Sequence, residues 1–325
     1  NFSLYQDESR RILQVFLSFT PLVEQLSLDE AYLDVAGSIR LFGHPVDIAE
    51  KIRARVKDER ALICSVGVAR NKLLAKLASE RAKPDGVVHV PVGEERAFLD
   101  PLQVTALQGV GEQTAAALDR LGVRYVSDLL ALPPGVLERA FGPVPASHLA
   151  RVARGEDDRA VVPYEPAKQI SAEETFDRDI DATHQIRREL LRLSERVAGR
   201  LRASGAAART ITIKVRFSDF KTITRSKTIA EPTDVAGRIY GAARALFDAL
   251  GLVRPRIRLL GVAAGGLVSG AGAEQLRIGE RPDPWRDADR AMDRVRARFG
   301  GDSVERASIA EQRPRIRAIE EDADD

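Results

Sequence analysis

One cysteine, Cys64, one methionine, Met292, and one tryptophan, Trp285, stand among 325 residues, and aromatic residues make up only 5%. A lone cysteine cannot build a disulfide framework or a cysteine-based zinc site, and it suits the reducing cytoplasm in which we expect the protein to work. Long apolar runs are also missing. None approaches the ~18 residues of a membrane span, and no signal peptide opens the chain. Nor does charge of one sign dominate, since 50 basic residues against 48 acidic ones leave a formal net charge of +2. Affinity for a polyanion must therefore come from local clustering of arginine and lysine. The chain opens on Asn1 and its only methionine lies at position 292, so we expect the natural start upstream and the chain to be a fragment. What is present, 44% hydrophobic residues, suffices for two or three domains with real cores.

The stretch Leu26-Ser27-Leu28-Asp29-Glu30-Ala31-Tyr32-Leu33-Asp34 sets two adjacent carboxylates between apolar runs. Neighbouring side chains of a regular strand point to opposite faces, so Asp29 and Glu30 can serve one ion only if the chain turns there. Val23 to Leu28 and Ala31 to Val35 fit two antiparallel strands with the acids at their hairpin. Such a hairpin can present oxygen donors to Mg²⁺, which takes carboxylates, waters and phosphates. Spacing alone favours an exposed acidic turn.

Around this hairpin the periodicity predicts a helix over 1–19, a second over Val46 to Val56, and a buried strand over Leu62 to Ala69. A strand ending at Gly67 and a helix starting near Asn71 would leave free backbone amides beside Lys76 and Lys83, a setting that suits phosphate. Lysines before the Pro84-Asp85-Gly86 turn also fit a plain solvated loop. From Glu94 to Val162 the composition turns helical, and Leu107-Gln108-Gly109-Val110-Gly111 reads as the turn of a helix-hairpin-helix. Its glycines, Gly109 and Gly111, would let backbone N–H groups approach a DNA phosphate; an ordinary helical hairpin is the alternative.

Two prolines between Val162 and Lys168 mark a linker, after which the pattern runs strand, helix, strand, strand, helix, strand. Arg209 to Phe217 alternates strictly, placing Ile211, Ile213, Val215 and Phe217 on one face. Thr210, Thr212, Lys214 and Arg216 take the open face, joined by Arg209 only if the register breaks at the strand's start. Six basic residues, Arg209, Lys214, Arg216, Lys221, Arg225 and Lys227, face one acid, Asp219, in this hairpin. That excess suggests an electrostatic footprint for phosphates. Gly265 to Gly272 reads as a flexible segment, Asp287 to Phe299 as a helix, and the acid-rich Glu320 to Asp325 as a disordered tail.

These stretches, in this order, resemble the Y-family DNA polymerases, in particular the bacterial DNA polymerase IV group. The resemblance runs from about Tyr5 to about Arg315. It is carried by Ser27-Leu28-Asp29-Glu30-Ala31-Tyr32, Arg81-Ala82-Lys83-Pro84-Asp85-Gly86, the Gly109-Val110-Gly111 turn, Phe217-Ser218-Asp219-Phe220, Arg225-Ser226-Lys227 and Arg256-Ile257-Arg258. It implies an α+β, multidomain fold: a partial palm of antiparallel sheet plus helices over 1–92, an all-helical thumb over 93–162, and a linker over 163–169. A little finger of four-stranded sheet plus two helices would follow over 170–266, with a C-terminal tail with one helix over 267–325.

The resemblance further implies translesion DNA synthesis with two Mg²⁺ ions, Asp29 bridging them and Glu30 holding the one that activates the primer 3′-hydroxyl. Lys83 would bind the dNTP triphosphate, and Gly109, Gly111, Thr210, Lys214, Arg216, Arg225, Lys227, Arg256 and Arg258 the primer-template DNA. The third carboxylate, the fingers and the steric gate of the family are absent from the sequence, which implies a monomeric fragment of little activity. Gln275 and Leu276 loosely resemble the peptide that grips the replication sliding clamp. In two other readings the chain is a non-catalytic accessory factor, or a repair module built on the helix-hairpin-helix.

Overall fold

Apolar residues at helical spacing bring α1 (Phe2–Leu17) against α3 (Pro45–Arg60), where Val15 and Phe19 meet Ile48, Ile52 and Val56 in a small core. The computed structural model describes residues 2–164, 166–269, 284–301 and 303–309. It divides between positions 165 and 166 into two units. In the first, β1 (Val23–Gln25) and β2 (Ala31–Leu33) pair antiparallel, with Glu24 opposite Tyr32. The short helix α2 (Ile39–Phe42) leads into α3. Next, β3 (Val66–Val68) runs parallel to β4 (Val87–His89), and α4 (Lys72–Arg81) connects them. A Cβ on Gly67 would lie 1.9 Å from the Ala75 carbonyl oxygen, so only glycine lets this strand pass under α4.

The expected strand from Leu62 is shorter than predicted. Ladder pairing begins at Val66, whose N–H donates to the Gly86 carbonyl, and Leu62 and Ile63 are exposed, not buried. The helical remainder comprises α5 (Glu95–Leu99), α6 (Glu112–Arg120), α7 (Val126–Ala131), α8 (Val136–Phe141) and α9 (Pro143–Ala153). Leu73, Leu74 and Leu77 of α4 share one core with Leu99, Leu118, Leu129 and Leu149 of these helices. No sheet separates them.

The second unit contains β5 (Gln169–Ile180), α10 (Thr183–Ala203), β6 (Ala206–Phe217), β7 (Thr222–Thr233), α11 (Ala236–Asp248) and β8 (Ile257–Ser269). The strands form one antiparallel sheet in the order β5-β8-β6-β7. Ile211, Ile213 and Val215 of β6 are buried with Leu260 and Val262 of β8 against Ile186, Leu190, Leu193 and Ile239 of the two helices. The register with β7 shifts between Ala208 and Thr210, where positions 229–232 of β7 stand against Arg209 alone, so the irregularity lies in β7 while β6 keeps its register with β8 through Arg209, which is exposed. Of the flexible segment expected over Gly265 to Gly272, the part as far as Ser269 is instead strand, because β6, starting at Ala206, supplies a partner that far, and the last three positions lie outside the described residues.

A last helix, α12 (Pro284–Phe299), joins this unit through charge. Asp289, 3% exposed, accepts from the Ala236 N–H at 2.8 Å and so caps α11, whose own N-cap Val235 has no side-chain acceptor. Its carboxylate also pairs with Arg202 and Arg306. Arg202 reaches Asp293, and Arg286 pairs with Asp234 at 3.0 Å. Removing one member of a buried pair leaves its partner's charge uncompensated. Asp289→Ala should therefore cost about 3–5 kcal/mol, read as a lower urea midpoint of the second unit, with Asp289→Asn less damaging because its carbonyl can still cap α11.

Candidate functional site

The chain turns tightly between β1 and β2: the Leu26 N–H donates to the Glu30 carbonyl at 2.9 Å, so Asp29 and Glu30 sit at the hairpin tip. Both are exposed. Asp29 Oδ1 accepts from the Ser27 hydroxyl at 2.6 Å, and Glu30 Oε1 accepts from Lys76 Nζ at 2.8 Å. The donors are hard carboxylate oxygens of the kind a divalent cation such as Mg²⁺ takes. Among the described residues no three acidic, histidine or cysteine side chains come together as a cation site, so this pair makes only part of one.

Lys76 and Lys83 both project from the segment that follows β3. Lys76 is held by Glu30, and Lys83 pairs with Glu80 at 2.8 Å on an exposed surface. The free amides expected at the start of α4 are not free. Asn71 caps the helix by accepting from the Leu74 N–H at 3.0 Å, and Asp157 accepts from the Leu73 N–H at 3.1 Å. A carboxylate at a helix N-terminus occupies the place an anion would take. Phosphate therefore has no access to this turn.

Asp157 belongs to a polar cluster that the sequence did not disclose. Lys72, 8% exposed, donates to both Glu24 carboxylate oxygens at 2.7 and 2.6 Å and to the Ala160 carbonyl, and lies 5.1 Å from the centre of the Tyr32 ring. Glu24 also accepts from the Val162 N–H at 2.8 Å. Burial alone would raise the Glu24 carboxyl, but the Lys72 and Val162 hydrogen bonds outweigh it and hold the group below its ordinary value. The Arg159 guanidinium does the same for Asp157. The only local sign was the run Glu156-Asp157-Asp158 after a helix stop, and its partner lies 84 residues away.

The glycine turn has a different character. Gly109 adopts φ +95°, a conformation side chains rarely take, while a Cβ on Gly111 would meet nothing within 4 Å. Gly111 starts α6 without any side-chain cap, so that helix's first amides stay open. The element before the turn is a 3-10 turn, Val104–Ala106, and not the full helix expected there.

On the sheet, the register sorts the basic residues onto opposite faces. Thr210, Thr212, Lys214 and Arg216 stand opposite Thr228, Ser226, Thr224 and Thr222 on the side that α10 and α11 leave uncovered. Gly265, Ala263 and Gly261 of β8 continue that side, leaving it low and rich in hydroxyls. Lys214 is tied to Glu173 at 2.9 Å and Arg216 to Thr222 at 2.9 Å. Arg225 and Lys227 stand opposite Ile213 and Ile211, and therefore on the helix side at the β7 edge. Neither has a carboxylate partner among the described residues. Arg256 and Arg258 both approach Asp179, at 3.6 and 3.5 Å, and Arg258 lies 4.8 Å from the Phe220 ring centre. Gln275 and Leu276 lie outside the described residues.

The chain is similar over most of its length to proteins of one known family. A family described as impB/mucB/samB matches residues 1–80, and the C-terminal domain of that family matches residues 167–278. The DNA polymerase IV of Desulfatibacillum aliphaticivorans is 40% identical over 308 residues, covering 94% of this chain and 78% of that protein. That of Dehalococcoides mccartyi strain CBDB1 is 37% identical, with the same coverage of 94% and 78%. Among solved structures, a Y-family DNA polymerase chimera aligns with a TM-score of 0.73 at 24% identity, over 83% of this chain and 78% of that one. The insertion ternary complex of Dbh DNA polymerase aligns with a TM-score of 0.58 at 23% identity, again over 83% and 78%.

The polar cluster makes a pH prediction. Because the folded-state Asp157 carboxyl is depressed, its stabilisation is present above the ordinary carboxylate value and is lost as pH falls through the lowered one. Asp157→Asn should therefore destabilise the protein at neutral pH, and the gap from wild type in thermal midpoint should close below pH ~4.

Proposed function

The chain belongs to the Y-family DNA polymerases, in the DNA polymerase IV group, and on that footing we propose that the hairpin tip carries its catalytic carboxylates. The reaction is DNA-directed DNA synthesis of the kind used in damage tolerance. Asp29 and Glu30 would hold two Mg²⁺ ions, the exposed adjacent carboxylates being the observation that carries this reading. When bound, such ions activate the primer 3′-hydroxyl and offset charge on the triphosphate. Lys76 neutralises Glu30 in their absence and would have to release it. Lys83, exposed and held only by its neighbour Glu80, is free to exchange that partner for the triphosphate of a dNTP.

DNA would be held through phosphate. The uncapped start of α6 offers backbone N–H groups to the primer-template, and the low hydroxyl-bearing sheet face lets a backbone approach closely. Arg225 and Lys227, free of carboxylates at the β7 edge, are better placed to take phosphates than Lys214 and Arg216, which are already engaged. Contact with a sliding clamp through Gln275 and Leu276 stays part of the proposal, as does action as a monomer.

In the complete polymerase, Glu30→Gln should abolish nucleotide incorporation in a primer-extension assay while primer-template affinity stays within about twofold, since one exposed acid contributes little to DNA binding. Retained incorporation would refute the metal assignment and favour a repair module built on the helix-hairpin-helix. The family's third carboxylate is not in the sequence, so these 325 residues alone should extend a primer far more slowly than the complete polymerase. Arg225→Ala with Lys227→Ala should lower DNA affinity and reduce the slope of log affinity against log salt by about 2. An unchanged slope in a fluorescence-anisotropy titration would remove both residues from the interface.

A further inference from the structure

The turn between β6 and β7 carries an amino acid that its backbone does not favour. The Phe220 N–H donates to the Phe217 carbonyl at 3.0 Å and the Phe217 N–H to the Lys221 carbonyl at 2.9 Å, so Ser218-Asp219-Phe220 forms the loop of the hairpin. The last residue of such a loop takes a left-handed conformation, ordinarily as glycine. Here it is a phenylalanine at φ +65°, 64% exposed and outside the core of the second unit. Residues held against their local preference persist only where the surroundings over-determine them, and they gather at binding sites.

What lies against the ring is Arg258, whose guanidinium carbon is 4.8 Å from the ring centre. Arg258 is itself set out of register: Arg216 stands opposite Leu259 and Phe217 opposite Ile257, so β8 carries Arg258 as an extra residue against β6. Such bulges re-aim a side chain. Its Nε approaches Asp179 Oδ1 at 3.5 Å, and Arg256 approaches the other carboxylate oxygen at 3.6 Å. Asp179 Oδ1 is buried and accepts no hydrogen bond, so the carboxylate aligns the guanidinium group by charge alone. The Ser218 N–H donates to the Arg256 carbonyl at 3.1 Å and ties the turn to the start of β8. Arg258 thus has a face on a ring and its Nε edge toward a carboxylate, while its Nη groups have no carboxylate partner among the described residues.

A free arginine loses much rotamer freedom when a ligand fixes it, and a guanidinium group already stacked and aligned has less to lose. DNA is the polymer on which this family acts, and Arg258 is among the residues expected on its backbone. We propose that Phe220 is a positioning residue for DNA binding: its ring and the Asp179 carboxylate hold the Arg258 guanidinium in one orientation, with the Nη edge presented to a phosphate. Phe220 acts without touching a nucleotide. Asp179, although its charge opposes DNA, assists binding through Arg258. The inference rests on the reading of Arg258 as a DNA contact, and on neither the hairpin carboxylates nor the helix-hairpin-helix.

Primer-template affinity of the 325-residue protein is measured by fluorescence anisotropy over a range of salt. Arg258→Gln should weaken binding and lower the slope of log affinity against log salt by about 1. Phe220→Leu keeps an apolar side chain and the same backbone conformation but loses the ring. It should weaken binding about fivefold, while Phe220→Tyr, which keeps the ring, should stay within about twofold. Both should leave the thermal midpoint unchanged, because the side chain is exposed. Added to Arg258→Gln, Phe220→Leu should cost nothing further, since it acts through the guanidinium group. Asp179→Asn should also weaken binding, whereas a carboxylate acting only as a charge would strengthen it on removal. Unchanged affinity in Phe220→Leu, or a loss that adds in full to that of Arg258→Gln, overturns the positioning role of the ring. Stronger binding by Asp179→Asn overturns that of the carboxylate. An unchanged salt slope in Arg258→Gln takes Arg258 out of the interface and the proposal with it, whereas a normal Arg258→Gln effect beside a silent Phe220→Leu refutes the ring and leaves the DNA contact standing.

Discussion

Helix α4 is where the first unit is held together, and the decisive contact is the Leu73 N–H on the Asp157 carboxylate at 3.1 Å. That bond fixes the segment after α9 against the start of α4, and the rest of the cluster builds outward from it. Asn71 reaches the Gly155 carbonyl, Lys72 joins Glu24 of β1 to the Ala160 carbonyl, and Lys76 holds Glu30 at the hairpin tip. Beneath these polar ties, Leu73, Leu74 and Leu77 enter the core shared with the helices that follow. Strand β1, the acidic hairpin and the chain beyond α9 are thereby positioned by one helix.

The consequence for chemistry is a division of labour among helix termini. The start of α4 is filled by Asp157 and the Asn71 cap, so it supports structure and leaves no room for phosphate. The start of α6 carries no side-chain cap and follows two glycines, one of them required by its backbone conformation. Both termini looked alike as turns before a helix. What separates them is a carboxylate that arrives from a distant part of the chain in one case and not in the other.

The second unit shows the opposite balance of forces. Its sheet and two helices are joined by apolar burial, whereas α12 is joined by ion pairs around Arg202 and Asp289. Buried pairs contribute modest net stability but are costly to break. They fix orientation, and the orientation chosen turns Asp289 and Asp293 inward together with Arg286 and Arg296.

Much of this was legible in the sequence. The acidic pair between apolar runs gave the hairpin, strict alternation over Arg209 to Phe217 gave β6 with its buried isoleucines, and the family wording of both halves agreed with the relatives found. Those features are local: periodicities of two and 3.6 residues are written in neighbouring positions. The face on which Arg225 and Lys227 stand was not legible, because it depends on which residues of β6 they pair with. The extension of β8 through its glycines depended on a partner strand, and the burial of Lys72 on a glutamate 48 residues away. The sequence by itself determined the order of the main elements and the family, because each rests on short-range pattern, but not where β3 begins or β8 ends. Only the tertiary structure decided which charges are already paired and which remain free to bind, because pairing is set by contacts between positions far apart in the chain.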